Sequence, residues 1–497
     1  MDTTLRDGEQ TSGVAYTASE KLHISRLLLE EVKVDRIEIA SARVSAGELE
    51  AVKRITEWAE QTNRSKQVEV LAFIDGAQSI DWIKEAGAKV VNLLSKGSLK
   101  HLKGQLRKTP DEHLTDIRNV VETATTAGMS ANLYLEDWSN GMRHSKDYVF
   151  YLVDNLRDVP IRRIMLPDTL GILSPDEVFR FCSEMCKRYP DIHFDFHAHN
   201  DYDLAVANSL AAAKAGIKGL HATVNGLGER AGNTPLASIV AVLRDHTERR
   251  TQVNEEKLTI LSKMVETFSG IRIPANKPVV GENVFTQACG VHADGDNKDR
   301  LYCNDLLPER FGRVRKYALG KTSGKSNILK NLEEMGILLD PEDIRRVTDR
   351  VIELSDRKEN VTAEDLPYII SDVLQNEGGE QKIRVKNYSL NVAKGLKSSA
   401  TLSISVNDEC YEETSAGDGQ YDAFMNVLRK IYAPLNIKLP KLTDYTVTIP
   451  PGGLTDALVE TVITWQTDEK EFKTRGLDPD QTISAIQATV KMLNIIN

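Results

Sequence analysis

The chain has 497 residues, of which 41% are hydrophobic, and its formal net charge is −10 at pH 7. This length predicts about two to four domains rather than one core. The acidic balance argues against general binding to nucleic acid or to a membrane surface, and no apolar run reaches the roughly 18 residues that span a bilayer. Five cysteines are an odd and sparse set, which argues against a disulfide framework and predicts a cytoplasmic protein.

Strand-like apolar runs alternate with amphipathic helical stretches over the first 230 or so residues. Seven runs rich in Val, Ile and Leu lie at 36–40, 68–75, 89–95, 131–137, 162–169, 193–201 and 219–226. The central residues of these runs are interpreted as apolar, which is typical of strands buried on both faces of a parallel sheet. An eighth strand is predicted in "MDTTLRDG" at the start of the chain. The pattern predicts a (β/α)8 TIM barrel over residues 1–265, with a doubly wound open sheet as the alternative.

Helix starts are marked between several of these strands. Thr17, Thr109 and Ser174 each stand three residues before a glutamate, which predicts a capping box at each position. Proline follows Thr109 and Ser174 directly, where a first helical residue is expected.

The run at 193–201, "HFDFHAHND", ends in two histidines one residue apart. Residues i and i+2 of a strand point to the same face, so His197 and His199 should converge. Barrel active sites lie at the carboxyl ends of the strands, and Asp7 follows the predicted first strand. Two imidazoles and one carboxylate leave positions open on a divalent cation, so the pattern predicts a metal site. The alternative is a pair of hydrogen-bonded core histidines.

Three motifs together carry a resemblance to a known family. "TLRDGEQ" (4–10), "HAHNDYDLAVANSLAAAKAG" (197–216) and "NGLGERAGNTP" (225–235) resemble the signatures of the α-isopropylmalate synthase family. The resemblance extends over nearly the whole chain and is strongest to the bacterial (R)-citramalate synthases. It implies a metal-dependent acyltransferase that condenses acetyl-CoA with a 2-keto acid.

The resemblance also implies roles for individual residues. The metal ligands fall on Asp7, His197 and His199, and Arg6 would bind the substrate carboxylate and the developing oxyanion. Thr169 would bind the carboxylate, Glu136 would be the active-site glutamate, and His292 and Tyr302 would reach in from a C-terminal extension. Either Glu136 or His292 could take the methyl proton of acetyl-CoA. Asn233 could lie near the metal or could fix the glycine-rich turn. The metal could be Mg²⁺, Mn²⁺ or Zn²⁺.

The keto-acid pocket is implied to have three large walls, Leu71, Leu94 and Tyr134. A pocket filled in this way favours pyruvate over 2-ketoisovalerate, although the same residues could be plain barrel packing. The expected product is therefore citramalate, for isoleucine biosynthesis, with 2-isopropylmalate synthase as the alternative. A metal-dependent lyase and a non-catalytic ligand sensor remain as further alternatives.

Residues 266–381 are predicted to be linker subdomains. The polar segment around His292 crosses to the partner's barrel in the family, which implies a homodimer, and "NEGGEQ" (376–381) is interpreted as a linker.

Residues 382–497 contain two similar halves, each with alternating strand patterns followed by an apolar helix, at 423–431 and at 483–493. Threonine-glycine turns are predicted between them, at 414–417 and at 474–476. The repeat resembles the family's regulatory domain, so a feedback amino acid, isoleucine by preference, is expected to bind near the polar groups of these turns. A dimerisation domain without a ligand is the alternative.

A basic cluster follows the predicted strand at 89–95 and consists of Lys96, Lys100, His101, Lys103, Arg107 and Lys108. It could steer anionic CoA toward the site, or it could be a solvated helix face.

Overall fold

The computed structural model describes the whole chain except residues 299, 357–360, 375–382, 407–408, 436, 449–458, 469–470 and 497. It divides into two compact units. The first comprises Met1–Thr286 and Cys303–Arg315, and the second Gln287–Tyr302 and Lys316–Asn497. The predicted linker at 376–381 lies outside the described residues, and the three-domain division stays a prediction. None of the helices in the described ranges is long and apolar enough to cross a membrane.

The first unit is built on seven parallel strands that follow one another in sequence order around a single sheet. They are β1 (Ile37–Ser41), β2 (Val68–Phe73), β3 (Val90–Lys96), β4 (Ser130–Glu136), β5 (Ile161–Asp168), β6 (Phe194–Ala198) and β7 (Gly219–Leu220). The helices of this unit are α1 (Ala18–Arg26), α2 (Ala46–Gln61), α3 (Gln78–Glu85), α4 (Leu99–His101), α5 (Pro110–Thr126), α6 (Trp138–His144), α7 (Lys146–Leu156), α8 (Pro175–Arg188), α9 (Ala205–Lys214), α10 (Leu236–His246) and α11 (Leu258–Ser269).

The N-terminal segment closes this sheet into a barrel. Asp2 forms parallel bridges to Ile37, the first residue of β1, and to Ala222 beyond β7. The amide of Thr3 donates to the carbonyl of Ala222 at 2.9 Å, and the amide of Glu38 donates to the carbonyl of Asp2 at 2.8 Å. The eighth strand is thus reduced to a single bridging residue, and the prediction of a barrel rather than an open sheet is confirmed.

Three predicted strands are shorter than expected, and one of them, predicted at 68–75, ends at Phe73. The seventh ends at Leu220, because Val224–Gly226 form a tight 3-10 turn in which Asn225 has a φ of 59°. The sixth ends at Ala198, so His199 lies just beyond it and bridges to Asn233 instead. All three predicted capping boxes, at Thr17, Thr109 and Ser174, are present.

The barrel interior is polar, so the prediction of apolar strand bodies is wrong for the inward-facing positions. Glu38, Glu69, Asn92, Asn132 and Asp195 are all fully buried. The amide nitrogen of Asn92 donates to Glu38 at 2.7 Å, and that of Asn132 donates to the oxygen of Asn92 at 2.8 Å. These bonds satisfy groups that would otherwise be costly to bury.

The second unit contains the two-residue strands β8 (Thr286–Gln287, whose first residue belongs to the first unit) and β9 (Lys316–Tyr317). Its first four helices are α12 (Gly290–Asn297), α13 (Lys325–Met335), α14 (Pro341–Asp356) and α15 (Leu366–Leu374). Apolar side chains of α13, α14 and α15, among them Ile328, Val347 and Leu366, form one small hydrophobic core.

The C-terminal repeat is confirmed by the order of its elements. One antiparallel sheet contains β10 (Ile383–Asn391), β11 (Ser398–Val406) and β12 (Glu409–Gly417) and is followed by α16 (Gln420–Tyr432). The other contains β13 (Lys441–Thr448), β14 (Val459–Gln466) and β15 (Glu471–Asp478) and is followed by α17 (Gln481–Ile496). Buried residues of all four parts share one core.

The predicted threonine-glycine turns are wrong, because Thr414 and Thr474 lie within β12 and β15. The glycines of the same motifs instead allow each helix to approach its strand closely. A Cβ at Gly417 would lie 2.3 Å from the amide nitrogen of Ala423, and one at Gly476 would lie 1.8 Å from the carbonyl oxygen of Ser484.

Candidate active site

The structure brings Asp7, His197 and His199 together at the carboxyl end of the barrel. One ligand atom from each lies within 4.8 Å of the other two, and all three residues are buried. The Nε2 of His197 is 3.1 Å from Oδ2 of Asp7, and the Nε2 of His199 is 3.9 Å from it. Asp7 reaches this position because the chain turns at Thr3, whose carbonyl accepts the amides of Asp7 and Gly8.

The charge states of these groups suit a cation. Burial lowers the pKa of His199 to about 4, so its imidazole is neutral near pH 7 and has a lone pair to offer. Burial alone would raise the pKa of Asp7, but Arg6 and His197 hold that pKa well below its usual range. Asp7 is therefore a carboxylate.

The hydrogen bonds of the site are incomplete in a way that fits a divalent metal. Oδ1 of Asp7 and the Nδ1 atoms of His197 and His199 are buried without a partner in the described structure. Asn233 also has an unpartnered buried Oδ1, while its Nδ2 donates to the carbonyl of Leu227 at 3.1 Å. The hydrogen bond to Leu227 supports the role of Asn233 in the glycine-rich turn, and a role near the metal stays a prediction.

Arg6 lies beside this group and contacts two carboxylates. Its guanidinium is 3.2 Å from Asp7 and 2.5 Å from the fully buried Glu38. Burial alone would lower the pKa of Arg6, but Asp7 and Glu38 outweigh it and raise that pKa. The guanidinium also lies 5.7 Å from the ring centre of Tyr134. Arg6 therefore remains a fixed positive charge at the mouth of the barrel.

The three predicted pocket walls lie in one apolar cluster. Leu71 and Tyr134 are buried together with Met165, which was not predicted from the sequence, and Leu94 and Met1 pack against them. The neighbours are set by the strand register, in which Leu94 pairs with Tyr134 and Tyr134 pairs with Met165. Burial raises the pKa of Tyr134 well above its usual range, so its hydroxyl keeps its proton.

Glu136 does not stand alone at the end of β4, because the ammonium of Lys96 forms an ion pair with it. The two residues are register partners on β3 and β4. Lys96 is buried, and Lys108 pairs with Asp116, so the predicted basic cluster is partly neutralised. Thr169 follows β5, and its hydroxyl accepts the amide of Asp137 at 2.9 Å.

His292 and Tyr302 belong to the second unit, where their rings lie 4.2 Å apart. His292 lies within α12, and a Cβ at Gly295 of the same helix would lie 2.4 Å from the Tyr302 ring. Their roles at an active site stay predictions.

Several polar residues that contact the site were not predicted. Glu38 and His221 are buried around Arg6 and Tyr134, and Lys96 was assigned only to a basic cluster. The available signal was a charged or polar residue inside an apolar run, as in "RIEIA" and "VVNLL", which marks an inward-facing barrel position.

Comparison with known proteins agrees with this geometry. The profile of the HMGL-like family matches residues 1–265, more than half of the chain. A profile described as homocitrate synthase post-HMGL domain-like matches residues 279–359, and the LeuA allosteric (dimerisation) domain matches residues 360–497. The chain therefore belongs to the HMGL-like family, as an acyltransferase with a candidate Asp–His–His metal site.

Curated relatives narrow the class further. The chain is 36% identical to a provisionally named (R)-citramalate synthase CimA of Methanopyrus kandleri, over 92% of this chain and 88% of the relative. It is 33% identical to (R)-citramalate synthase CimA of Methanocaldococcus jannaschii, over 100% and 99%. It is 34% identical to 2-isopropylmalate synthase of Pyrococcus furiosus, over 100% and 98%. Similar identities to both kinds of enzyme do not separate the two activities.

Proposed function

We propose that this protein is an (R)-citramalate synthase, which condenses acetyl-CoA with pyruvate and hydrolyses the thioester to give citramalate and CoA. The observation that carries the proposal is the apolar cluster of Leu71, Leu94, Tyr134 and Met165 beside Arg6. We expect these four large side chains to accept a methyl group and to crowd a branched one. Pyruvate is therefore the keto acid that fits best.

Asp7, His197 and His199 would hold a divalent metal, Mg²⁺, Mn²⁺ or Zn²⁺, which when bound supplies Lewis acidity toward the keto carbonyl. Arg6 stays protonated and can bind the substrate carboxylate through two parallel hydrogen bonds. Its charge also favours the alkoxide that develops as the new carbon–carbon bond forms. The hydroxyl of Thr169 can donate to the same carboxylate while it accepts from Asp137.

A base must remove a proton from the acetyl-CoA methyl group. The carboxylate of Glu136, which the ammonium of Lys96 holds at the end of β4, is the first candidate to accept this proton. His292, with Tyr302 beside it, is the second candidate and would come from the partner of a homodimer. The enolate attacks the keto carbon, and water then cleaves the thioester.

The alternative function is 2-isopropylmalate synthesis from 2-ketoisovalerate, which the names of several relatives favour. A lyase is less well supported, because the chain carries a LeuA allosteric (dimerisation) domain in addition to the barrel. A non-catalytic sensor does not account for the complete Asp–His–His group. The small number of cysteines, five in 497 residues, supports the proposed cytoplasmic location.

The proposal includes feedback inhibition by isoleucine in a homodimer. The C-terminal repeat contains a cavity of about 660 Å³, lined by Tyr421, Met425 and Trp465 and by the charged Asp422 and Arg429. An amino acid offers an ammonium, a carboxylate and an aliphatic side chain, which these groups complement. Thr414 and Thr474 do not line the cavity; Thr474 is buried and accepts the indole N–H of Trp465 at 2.7 Å.

The direct test is release of CoA from acetyl-CoA with a panel of keto acids, with the product identified by mass spectrometry. We expect citramalate from pyruvate as the fastest reaction. Faster turnover of 2-ketoisovalerate would reassign the enzyme as a 2-isopropylmalate synthase, and no turnover of any keto acid would reject both assignments.

A further inference from the structure

A line of hydrogen bonds crosses the barrel from Arg6 to Asp195, and the proposed chemistry uses neither His221 nor Asp195. Arg6 contacts the hydroxyl of Tyr134 at 3.4 Å, and this hydroxyl is 3.2 Å from Nδ1 of His221. The Nε2 of His221 is in turn 3.2 Å from Oδ2 of Asp195. Tyr134, His221 and Asp195 are all fully or almost fully buried. We refer to these four residues as the central chain.

Each hydrogen bond of the central chain is donated in the same direction, from Arg6 toward Asp195. A guanidinium can only donate, so the oxygen of Tyr134 accepts from Arg6. A carboxylate can only accept, so Nε2 of His221 carries a proton toward Asp195. In an imidazole that carries its single proton on Nε2, Nδ1 is an acceptor, and it lies 3.2 Å from the Tyr134 hydroxyl, whose proton it can accept.

The far end of the central chain is anchored. Oδ2 of Asp195 also accepts from Arg36 at 2.8 Å, and its Oδ1 contacts Nε2 of His193 at 3.0 Å. Both carboxylate oxygens of Asp195 are therefore engaged, and the imidazole of His221 is held in one orientation and one tautomer.

Tyr134 has a competing acceptor near the site. Its hydroxyl is 3.3 Å from Oε2 of Glu38, the same oxygen that accepts Nε–H of Arg6. If Nδ1 of His221 were lost, the Tyr134 proton would turn to Glu38 and compete with Arg6 for that oxygen. Arg6 would then be less well fixed for a substrate carboxylate.

We infer that His221 is a positioning residue, which directs the hydroxyl of Tyr134 and through it sets the guanidinium of Arg6 for the keto acid. This inference rests on the proposed function, because Arg6 is taken to bind the substrate carboxylate. It assigns His221 no contact with substrate.

Two substitutions of His221 test its contact with Tyr134 separately from its contact with Asp195. In His221→Asn the amide oxygen falls near the place of Nδ1 and can still accept from Tyr134. In His221→Gln the amide reaches the place of Nε2 and keeps the contact with Asp195 only. We expect His221→Gln to raise the KM of the best keto acid roughly five- to thirtyfold, which is the effect of one buried hydrogen bond, with a smaller rise for His221→Asn.

Tyr134→Phe tests whether the effect passes through the hydroxyl. Adding His221→Gln to Tyr134→Phe should change the KM little further, because the two substitutions remove the same contact. The matched control is His113→Gln. His113 is also buried and contacts a tyrosine, Tyr148, at 2.8 Å; both residues contact the backbone of Lys96, but neither contacts Arg6. It should lower thermal stability and leave the keto-acid KM unchanged.

Three results would overturn the inference: equal KM values for His221→Gln and wild type, fully additive effects with Tyr134→Phe, or an equal KM rise in the His113→Gln control. A further measurement does not depend on catalytic activity. Side-chain ¹⁵N NMR of metal-loaded protein should show His221 protonated at Nε2, with an Nδ1 signal that shifts in Tyr134→Phe, and an unshifted signal would also overturn it. Absence of CoA release with every keto acid would reject the proposed function and the positioning role, while the NMR result would still report the contact.

Discussion

The barrel and the C-terminal repeat bury their side chains in opposite ways. The barrel places charged and amide groups at its centre, where Glu38, Asn92 and Asp195 are tied together by hydrogen bonds and ion pairs. The repeat has an apolar core, exemplified by Leu402 and Phe424, and its charged pair Asp422 and Arg429 lies at a cavity. A polar interior fixes a few groups in one arrangement, which suits catalysis. An apolar core with an accessible cavity suits a ligand that must come and go.

The largest effect is expected from breaking the candidate metal site. Asp7→Ala or His197→Ala removes one of three ligands, so both should abolish CoA release and weaken binding of a divalent cation. Metal content by mass spectrometry and far-UV circular dichroism would check that the cation is lost while the fold is kept. Full activity after dialysis against a chelator would contradict this role.

The next largest effect, on kcat, is expected from the ion pair of Lys96 and Glu136 at the ends of β3 and β4. Lys96→Met leaves Glu136 without its cation, and Glu136→Gln removes the carboxylate, so each should lower kcat by roughly 10²–10⁴. Lys108→Met is the control, because Lys108 pairs with Asp116 at a more exposed position. Steady-state kinetics would decide, and an unchanged kcat in both site variants would make His292 the base.

A smaller effect is expected in the repeat. Arg429→Ala or Asp422→Asn should relieve inhibition by isoleucine, with a loss of about 5–150-fold in apparent affinity and no change in uninhibited rate. Thr414→Ala is the control, since Thr414 is an exposed strand residue outside the cavity. Titration of activity with isoleucine, leucine and valine would check this, and inhibition by leucine alone would favour isopropylmalate synthesis.

The smallest effect is on stability. Burial lowers the pKa of His113 from 6.5 to about 4, so the unfolded chain binds this proton more readily than the folded one. The contribution of His113 to the free energy of unfolding is therefore fully present above pH 6.5 and is lost as the pH falls from 6.5 to about 4. Denaturant unfolding of wild type and His113→Gln should show a shallower pH slope in the variant across this window, and equal slopes would refute it.

The sequence predicted the barrel and the Asp7, His197 and His199 group because both depend on local periodicity. Strand alternation fixes the direction of His197 and His199, and barrel topology brings Asp7 to them. The Lys96–Glu136 pair was not predicted, because it depends on register between two strands. Thr414 and Thr474 were assigned to turns because a threonine followed by glycine resembles one, whereas Gly417 and Gly476 are required by close helix packing.

The most direct test is the ratio of kcat/KM for pyruvate over 2-ketoisovalerate, measured in wild type and in Leu94→Ala. The proposed pocket of Leu71, Leu94, Tyr134 and Met165 predicts a ratio of roughly 10–200 in favour of pyruvate in wild type, and a clear fall in the variant, where space is opened. A wild-type ratio at or below about one would mean that the pocket does not favour pyruvate, and it would contradict the account.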